Sequence, residues 1–516
     1  MPSPQLRALG SFRRWAGPAP VWSGRVAAPL WSSLGQAIHG QGGRLMGLWG
    51  EDRRAAEGCF LVHGAFLFEQ GLLLAEQEVG AVSPETPSLA AIFPAANRME
   101  RTLYDLLGIR ARGLADQRPW LRHQAWPEDQ FPLRADFAGS DLGRAGDGRY
   151  AFVPVAGEGV HEIFAGPVHA GIIEPGHFRF QVLGEEVLRL EAHLGYTHKG
   201  TERLFQGQDI AGGARLAGRV SGDSTVAYAW AYAQAVEQIL ALTPPPRARW
   251  LRALCLERER LANHLGDLGA LGNDAGLAFA LTQFSRLKED FLRDQERYFG
   301  HRYLMDRIAP GGVAFDLDAG QCGALREAGR TLGVAVARLQ EILAEHGGLR
   351  DRVVTLGRIS PSLAADLGMM GMAGRASGQA WDLRVQFPQP PYDALEVRMA
   401  LESDGDVAAR MAVRFAEITE SLRLQDRILD ALPAGETMLP VAGLPADGVG
   451  AAWVESWRGE ILLWLRMEQG RITRCHPQDP SWTLWPAVEQ AALRDIVADF
   501  PLINKSFNLN YSGHDL

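Results

Sequence analysis

The segment LRALCLERERLANHLGDLGAL sets Glu257, Arg260, Leu261, His264 and Leu268 at i, i+3, i+4, i+7 and i+11, one face of a helix. An acid, a guanidinium and an imidazole therefore share a stripe with leucines. Buried in register, such groups form a polar network that costs little only when every member is paired, and a paired network can relay protons. The other reading is a salt-bridge set on the surface or between helices. A second concentration lies in GYTHKGTERLF, where His198, Lys199, Glu202 and Arg203 crowd polar chemistry into a short stretch. A carboxylate there can act as a general acid or base if it sits within hydrogen-bond reach and its pKa is tunable.

The elements that must hold these groups are legible in the hydrophobic pattern. In HFRFQVLGEEVLRLEAHLG, Phe178, Phe180 and Val182 alternate with His177, Arg179 and Gln181, and Gly184 supplies the turn of a hairpin. Helical patterns follow over about Ser224–Leu242, Arg247–Leu271, Ala275–Phe299, Ala319–His346 and Gly405–Leu432, each bounded by Gly, Pro or Asp. Before the hairpin, apolar runs such as GCFLVHGAFLFEQGLLLA alternate with helical stretches such as NRMERTLYDLLG. A Gly-, Ala- and Asp-rich stretch separates the two regions. The expected organisation is an α+β N-terminal domain over 1–140, a linker over 141–160, and a mainly α-helical domain with small β-sheet elements over 161–516.

Bulk properties narrow the function classes. The chain has 516 residues, of which 47% are hydrophobic and 22% charged, enough apolar material for a large core. A net charge of −9 argues against a nucleic-acid binder. The apolar stretch from Val226 to Leu242 is cut by Gln234, Glu237 and Gln238, so membrane contact is expected only through partners. Met1–Arg25 contains arginines and no acids, but lacks a signal-type apolar core and reads as an amphipathic start. Cys59, Cys255, Cys322 and Cys475 form no CxxC pair and fit free thiols in a reduced cytoplasmic setting. No GxGxxG follows an expected strand, so direct dinucleotide binding has no support.

The stretch GPVHAGIIEPGHFRFQVLGEEV…GYTHKGTERLF resembles the opening of the large subunit of membrane-bound, formate-hydrogenlyase-type NiFe hydrogenases and of its complex I relative. LERERLANHLGDLGALGNDAG, FGHRYLMDRIAPGGV, GRASGQAWDLR, GDVAARMAVRFAEI, VESWRGE and DPSW extend the resemblance over nearly the whole chain. NRMERTLYDLLGIRARGLADQRPWLRHQAWPEDQFPLRADF is similar to the end of the small complex I subunit that formate-hydrogenlyase-type proteins carry fused to the large one. The resemblance implies a hydrogenase-large-subunit-like fold after residue 160. It also implies a structural role for the small domain, an iron–sulfur cluster on a partner subunit and antiporter-like membrane subunits. The implied location is cytoplasmic, on the inner face of the membrane.

The departures from the family pattern concern the metal site. Its nickel–iron members use two CxxC pairs, because such a site demands soft thiolates. Here Ser221 and Ser224 stand at the first pair in RVSGDSTVAY, with Tyr228 at a usual histidine, and Asn510 and Gly513 stand at the second in SFNLNYSGHDL. Hydroxyls and an amide are hard, weak ligands and glycine has no side chain, so no metal is expected. The sequence ends three residues after Gly513, which carries the expectation that no long maturation extension is present.

The resemblance to complex I points to a quinone pocket using His169, His177 and Tyr228, although the paired-histidine spacing of complex I is not reproduced. It makes Glu202 the match to the glutamate of HRGxE, with Lys199 in place of the arginine, and so a candidate proton carrier beside His198. A structural pair of Glu202 with Arg203 or Arg384 is the alternative. Asp223, between the two serines, is expected to have a raised pKa unless a cation pairs with it; Arg219 and Arg375 are the candidate partners. Arg375 and Arg384 are the candidates to join Glu257, Arg260 and His264 in the polar network. The resulting expectation is a metal-free large-subunit relative in a redox-linked, ion-translocating complex, with a quinone reductase or a pure scaffold as alternatives.

Overall fold

The computed structural model describes residues 3–17, 19–139, 150–169, 173–441, 443–444 and 446–516. The N-terminal sheet comprises β1 (Arg13–Arg14), β2 (Val21–Arg25), β3 (Arg44–Arg53), β4 (Cys59–Phe68) and β5 (Gly71–Gly80), in the order β1-β2-β5-β4-β3. Only β2 and β5 run parallel; the other pairs are antiparallel. Helices Trp31–His39 and Ala96–Leu107 cover one face, through Trp31, Leu34, Ile38, Met99 and Leu103. β6 (Glu85–Pro87) and β7 (Arg110–Arg112) form a small parallel pair beside them.

β4 reads CFLVHGAFLF and is buried from Phe60 to Phe68, without alternation. A sheet covered on both faces has no solvent side on which to place polar residues. The second cover is the C-terminal sheet of β13 (Gly448–Glu455), β14 (Glu460–Glu468) and β15 (Arg471–Gln478). Met46, Trp49, Ala65, Leu67, Leu72 and Leu74 pack there against Trp453, Leu462 and Trp464.

The expected linker falls partly outside the described residues, which omit 141–149; residues 150–159 carry no helix or strand. β8 (Val160–Ala165) then pairs with the expected hairpin, β9 (His177–Leu183) and β10 (Glu186–His193), whose turn uses Gly184 at φ +63°. Phe178, Phe180 and Val182 are buried as the alternation predicts, and Gln181 is buried on the opposite face.

The long helices span Thr225–Ile239, Pro246–Asp274, Ala278–Phe299, Ala319–Glu345 and Val407–Asp430. Their ends differ from the expected bounds for local reasons. Asp406 caps the last of these by accepting the Ala409 N–H at 2.8 Å, so that helix begins two residues beyond Gly405. His346 is excluded from the Ala319–Glu345 helix because its ring accepts the Leu349 N–H and caps the next one. Pro246–Asp274 is central, packed by Ala278–Phe299 on one side and Val407–Asp430 on another. β11 (Ile308–Ala309) and β12 (Gly312–Val313) form a short hairpin near Arg252.

Candidate functional site

Glu257, Arg260 and His264 project from the Pro246–Asp274 helix into the core, each 0% exposed. Arg384 lies 3.1 Å from Glu257, and Tyr392 and Ser421 donate to the same carboxylate at 2.6 Å each. His264 Nε2 is 2.8 Å from Glu417, which Arg375 also binds at 2.7 Å. Arg375 reaches on to Glu455 at 2.9 Å, and Arg384 to Asp382 at 2.6 Å. The five sequence candidates thus meet in one buried network, completed by Asp382, Glu417 and Glu455. Burial pushes Glu417 up, but Arg375 and His264 outweigh it and hold Glu417 well below the usual carboxylate range. Glu455 goes the other way: burial, then the neighbouring Asp382 charge, push it up to about 7.

Of the four positions at which the resemblance places metal ligands, Ser221, Ser224 and Asn510 converge on Asp223, and the Gly513 N–H donates to Asn510 Oδ1 at 2.7 Å. Asp223 Oδ1 accepts from the Ser221 hydroxyl, from Ser224 Oγ at 3.3 Å and from Asn510 Nδ2 at 3.1 Å. Its Oδ2 accepts from Arg458 Nη2 at 2.6 Å, and its carbonyl from Asn263 at 2.8 Å and Trp457 Nε1 at 2.9 Å. Arg458 therefore supplies the cation, while Arg219 pairs with Asp306 and Arg375 belongs to the network. This corrects both expected partners. Burial raises Asp223, but the Arg458 guanidinium outweighs it and the carboxyl sits below its ordinary value. The Asp223 side chain stays 37% exposed, facing a cavity of about 300 Å³ lined by Glu174, Ser221, Asn504, Lys505, Asn508 and Ser512, among others. Glu174 accepts the Ser512 N–H at 3.0 Å, and burial and the Asp223 charge push it up.

A nickel–iron centre does not fit these residues. Three of the four positions offer only hydroxyl or amide groups, already committed to Asp223. At Gly513 a Cβ atom would lie 2.5 Å from Asp479 Oδ2 and 3.1 Å from the Tyr228 hydroxyl. The space of a fourth thiolate is thus filled by the Tyr228–Asp479 hydrogen bond of 2.7 Å. Among the described residues, no group of three or more His, Cys, Asp or Glu side chains is arranged to hold a metal ion.

Glu202 pairs with neither Arg203 nor Arg384. Arg474 Nη2 lies 2.6 Å and His476 Nδ1 2.7 Å from its Oε1, both from β15. Burial pushes Glu202 up, but these two groups outweigh it and hold it down to about 2, so it remains ionised at neutral pH. His476 in turn stacks on Trp49 of the N-terminal sheet at 4.7 Å and 12°, and Trp49 stacks on His63 at 5.3 Å and 12°. His198 Nδ1 faces the Asp515 carbonyl at 2.8 Å, and Asp515 accepts from Thr197 and His514.

The expected quinone set is not brought together. Tyr228 is fully buried on Asp479. His177 faces Phe152 and Phe164 near the linker, and His169 is exposed with its ring edge-on to Phe178 at 5.6 Å. Each of the three side chains thus has its own neighbours among the described residues, and the loop 170–172 beside His169 lies outside them.

The residues missed from sequence are Glu174, Asp382, Glu417, Glu455, Arg458, Arg474, His476 and Asp479. VESWRGE and DPSW are among the matching segments, and for Glu455, Arg474 and His476 a charge or imidazole inside an apolar strand is the available signal. In RITRCHPQ, Arg474 and His476 are two apart and so share one face of a strand.

Residues 32–142 match the family described as respiratory-chain NADH dehydrogenase, 30 Kd subunit, and residues 274–444 that of the 49 Kd subunit. The chain is 30% identical over 484 residues to formate hydrogenlyase subunit 5 of Escherichia coli (strain K12), covering 92% of this chain and 85% of the relative. It is 31% identical over 354 residues to the carbon monoxide-induced hydrogenase of Rhodospirillum rubrum, covering 67% and 97%. A solved structure of the membrane-bound sulfane sulfur reductase, an archaeal respiratory membrane complex, superposes with a TM-score of 0.66 at 25% identity. That match covers 70% of this chain and all of the other.

Proposed function

This chain belongs to the family that joins the 30 and 49 Kd subunits of respiratory-chain NADH dehydrogenase with the large subunits of formate-hydrogenlyase-type hydrogenases, and on that premise we propose that it is a metal-free large subunit of a membrane-associated redox complex. In this reading it packs against an iron–sulfur subunit and lies on the inner face of the membrane above antiporter-like subunits. No helix among the described residues is long and apolar enough to cross a membrane. The observation that carries the reading is the Asp223–Arg458 pair, bonded by Ser221, Ser224 and Asn510 where ligands would stand.

The cavity is a site of proton exchange rather than hydrogen activation. Asp223 and Glu174 share it, and their environments push their pKa values apart, the arrangement that divides base from acid. Glu174 is the exchangeable acid, and Asp223, fixed by Arg458, is the standing charge. Glu202 stays ionised and anchors the short Thr201–Phe205 helix to β15.

The test is mass spectrometry and metal analysis of the assembly that co-purifies with the tagged chain from gently solubilised native membranes. An iron–sulfur subunit and antiporter-like proteins, with iron but no nickel equimolar to this chain, is the expected result. Recovery of the chain alone, or with one nickel per chain, overturns the reading.

A further inference from the structure

We propose that Glu455 is a proton-binding site inside the large domain, separate from the Asp223 cavity and linked to it through the four residues Glu455–Arg458. Four carboxylates, Glu257, Asp382, Glu417 and Glu455, share the buried network with three guanidiniums, Arg260, Arg375 and Arg384. With all of these ionised the cluster carries one negative charge too many, and burial makes an uncompensated charge expensive. His264 does not supply the missing proton: burial lowers it, and its Nδ1 has no hydrogen-bond partner among the described residues. One carboxylate is left to take a proton from solvent, which brings the cluster from −1 to neutral.

The geometry selects Glu455. Arg375 is its cation, at 2.9 Å through Nη1, but Nη1 also serves the Trp381 carbonyl and the other nitrogens bind Glu417. The Leu383 N–H gives Glu455 one further bond, at 3.1 Å. Asp382 and Arg384 face it from the segment before and within Leu383–Gln386, Arg260 binds its carbonyl from the central helix, and Glu417 lies across Arg375. Glu460 stands directly opposite it across the β13–β14 pair, a like-charge position. Glu460 has a cation of its own in Arg44 of the N-terminal sheet, whereas Glu455 shares Arg375 with Glu417.

The loop makes the link. From Glu455 in the network the chain reaches Trp457, which donates to the Asp223 carbonyl and meets His264 edge-on at 6.0 Å, and then Arg458 on the Asp223 carboxylate. A change of charge at Asp223 therefore acts on the residue three positions from the proton site. This inference goes beyond the role given to the cavity and does not rest on it.

The test is pH-difference infrared spectroscopy of the full chain, reading carboxylic-acid C=O bands that titrate around neutral pH. The wild type shows such a band for Glu455, and Glu455→Gln removes it while the bands of Glu100 and Glu259, also pushed up by burial, persist. Asp382→Asn brings the cluster to zero charge and moves the midpoint of this band down by at least about one pH unit, because a like charge is lost. Asp223→Asn moves it in the same direction by less. A Glu455→Gln spectrum that retains every titrating band, or an unmoved midpoint in Asp382→Asn, overturns the proton site, and Asp382→Asn alone decides if Glu455→Gln fails to fold. An unmoved midpoint in Asp223→Asn overturns the linkage.

Discussion

Replacing Arg458 by Met tests whether Asp223 stands at the old ligand positions by virtue of an ion pair. The substitution keeps a long unbranched side chain over Trp457, which the guanidinium covers at 4.1 Å, but removes the bonds to Asp223 at 2.6 Å and to the Asn508 carbonyl at 2.7 Å. Breaking a fully buried pair costs about 3–5 kcal/mol. Because the Asp223 side chain is 37% exposed to the cavity, solvent screening reduces the expectation to about 1–3 kcal/mol. The sign of the pH dependence follows. In the wild type Asp223 lies below its ordinary value, so its contribution is present above pH 4 or so and is lost on acidification. Without Arg458, burial is opposed only by the Ser221, Ser224 and Asn510 hydrogen bonds and the carboxyl rises, so the variant is penalised at high pH and relieved as pH falls. Urea unfolding of wild type, Arg458→Met, Asp223→Asn and the double variant, at pH 8 and pH 5, forms a double-mutant cycle. The expected coupling is at least about 1 kcal/mol at pH 8 and less at pH 5, the double variant being more stable than additivity allows. Additive effects at both pH values would refute the reasoning.

Gly513→Ala drives a Cβ onto Asp479 and should cost about 1–3 kcal/mol by overpacking, read as a lower thermal midpoint; unchanged stability would mean that the fourth ligand space is open. Glu202→Gln should forfeit about 3 kcal/mol at neutral pH, since the folded pKa of about 2 stands below the ordinary 4.5. That stability is present above pH 4.5 and lost as pH falls toward 2, so the gap between wild type and variant should close over that window in acid-unfolding curves. Tyr228→Phe leaves Asp479 short of a donor and should cost about 1–2 kcal/mol, with no change in sensitivity to quinone-site inhibitors of the assembled complex. Glu174→Gln should reduce proton exchange by the complex with little effect on unfolding, and an unaltered rate would remove Glu174 from its role.

The polar network was legible in sequence because Glu257, Arg260 and His264 sit on one helix, where spacing alone fixes the shared face. The segments bearing Arg375 and Arg384 were visible too, and both residues enter the network. Partners from distant segments were not legible: Asp223 meets Arg458 and Glu202 meets Arg474 across more than 200 residues, and nothing local distinguishes those arginines from Arg219 or Arg203. The surroundings of the quinone candidates were not legible for a related reason. His177 begins a strand and faces the opposite side of the sheet from the buried Phe178, while Tyr228 is claimed by Asp479. The alternation of the hairpin is borne out in its buried Phe178, Phe180 and Val182, whereas the unbroken apolar run of β4 does not by itself name the sheet that covers it.

That second cover has a consequence for stoichiometry and assembly. Because the outer face of the C-terminal sheet is dry only when Trp49 and its neighbours lie on it, the last 70 residues of the large domain acquire their finished surface from a segment made near the start of synthesis. Covalent fusion turns that docking into an intramolecular event at high effective concentration and fixes a one-to-one ratio of the two parts. Two separate chains carrying the same faces would each expose aromatic surface until they met, so splitting this protein in the stretch around residue 145 should yield two aggregation-prone halves unless they are made together.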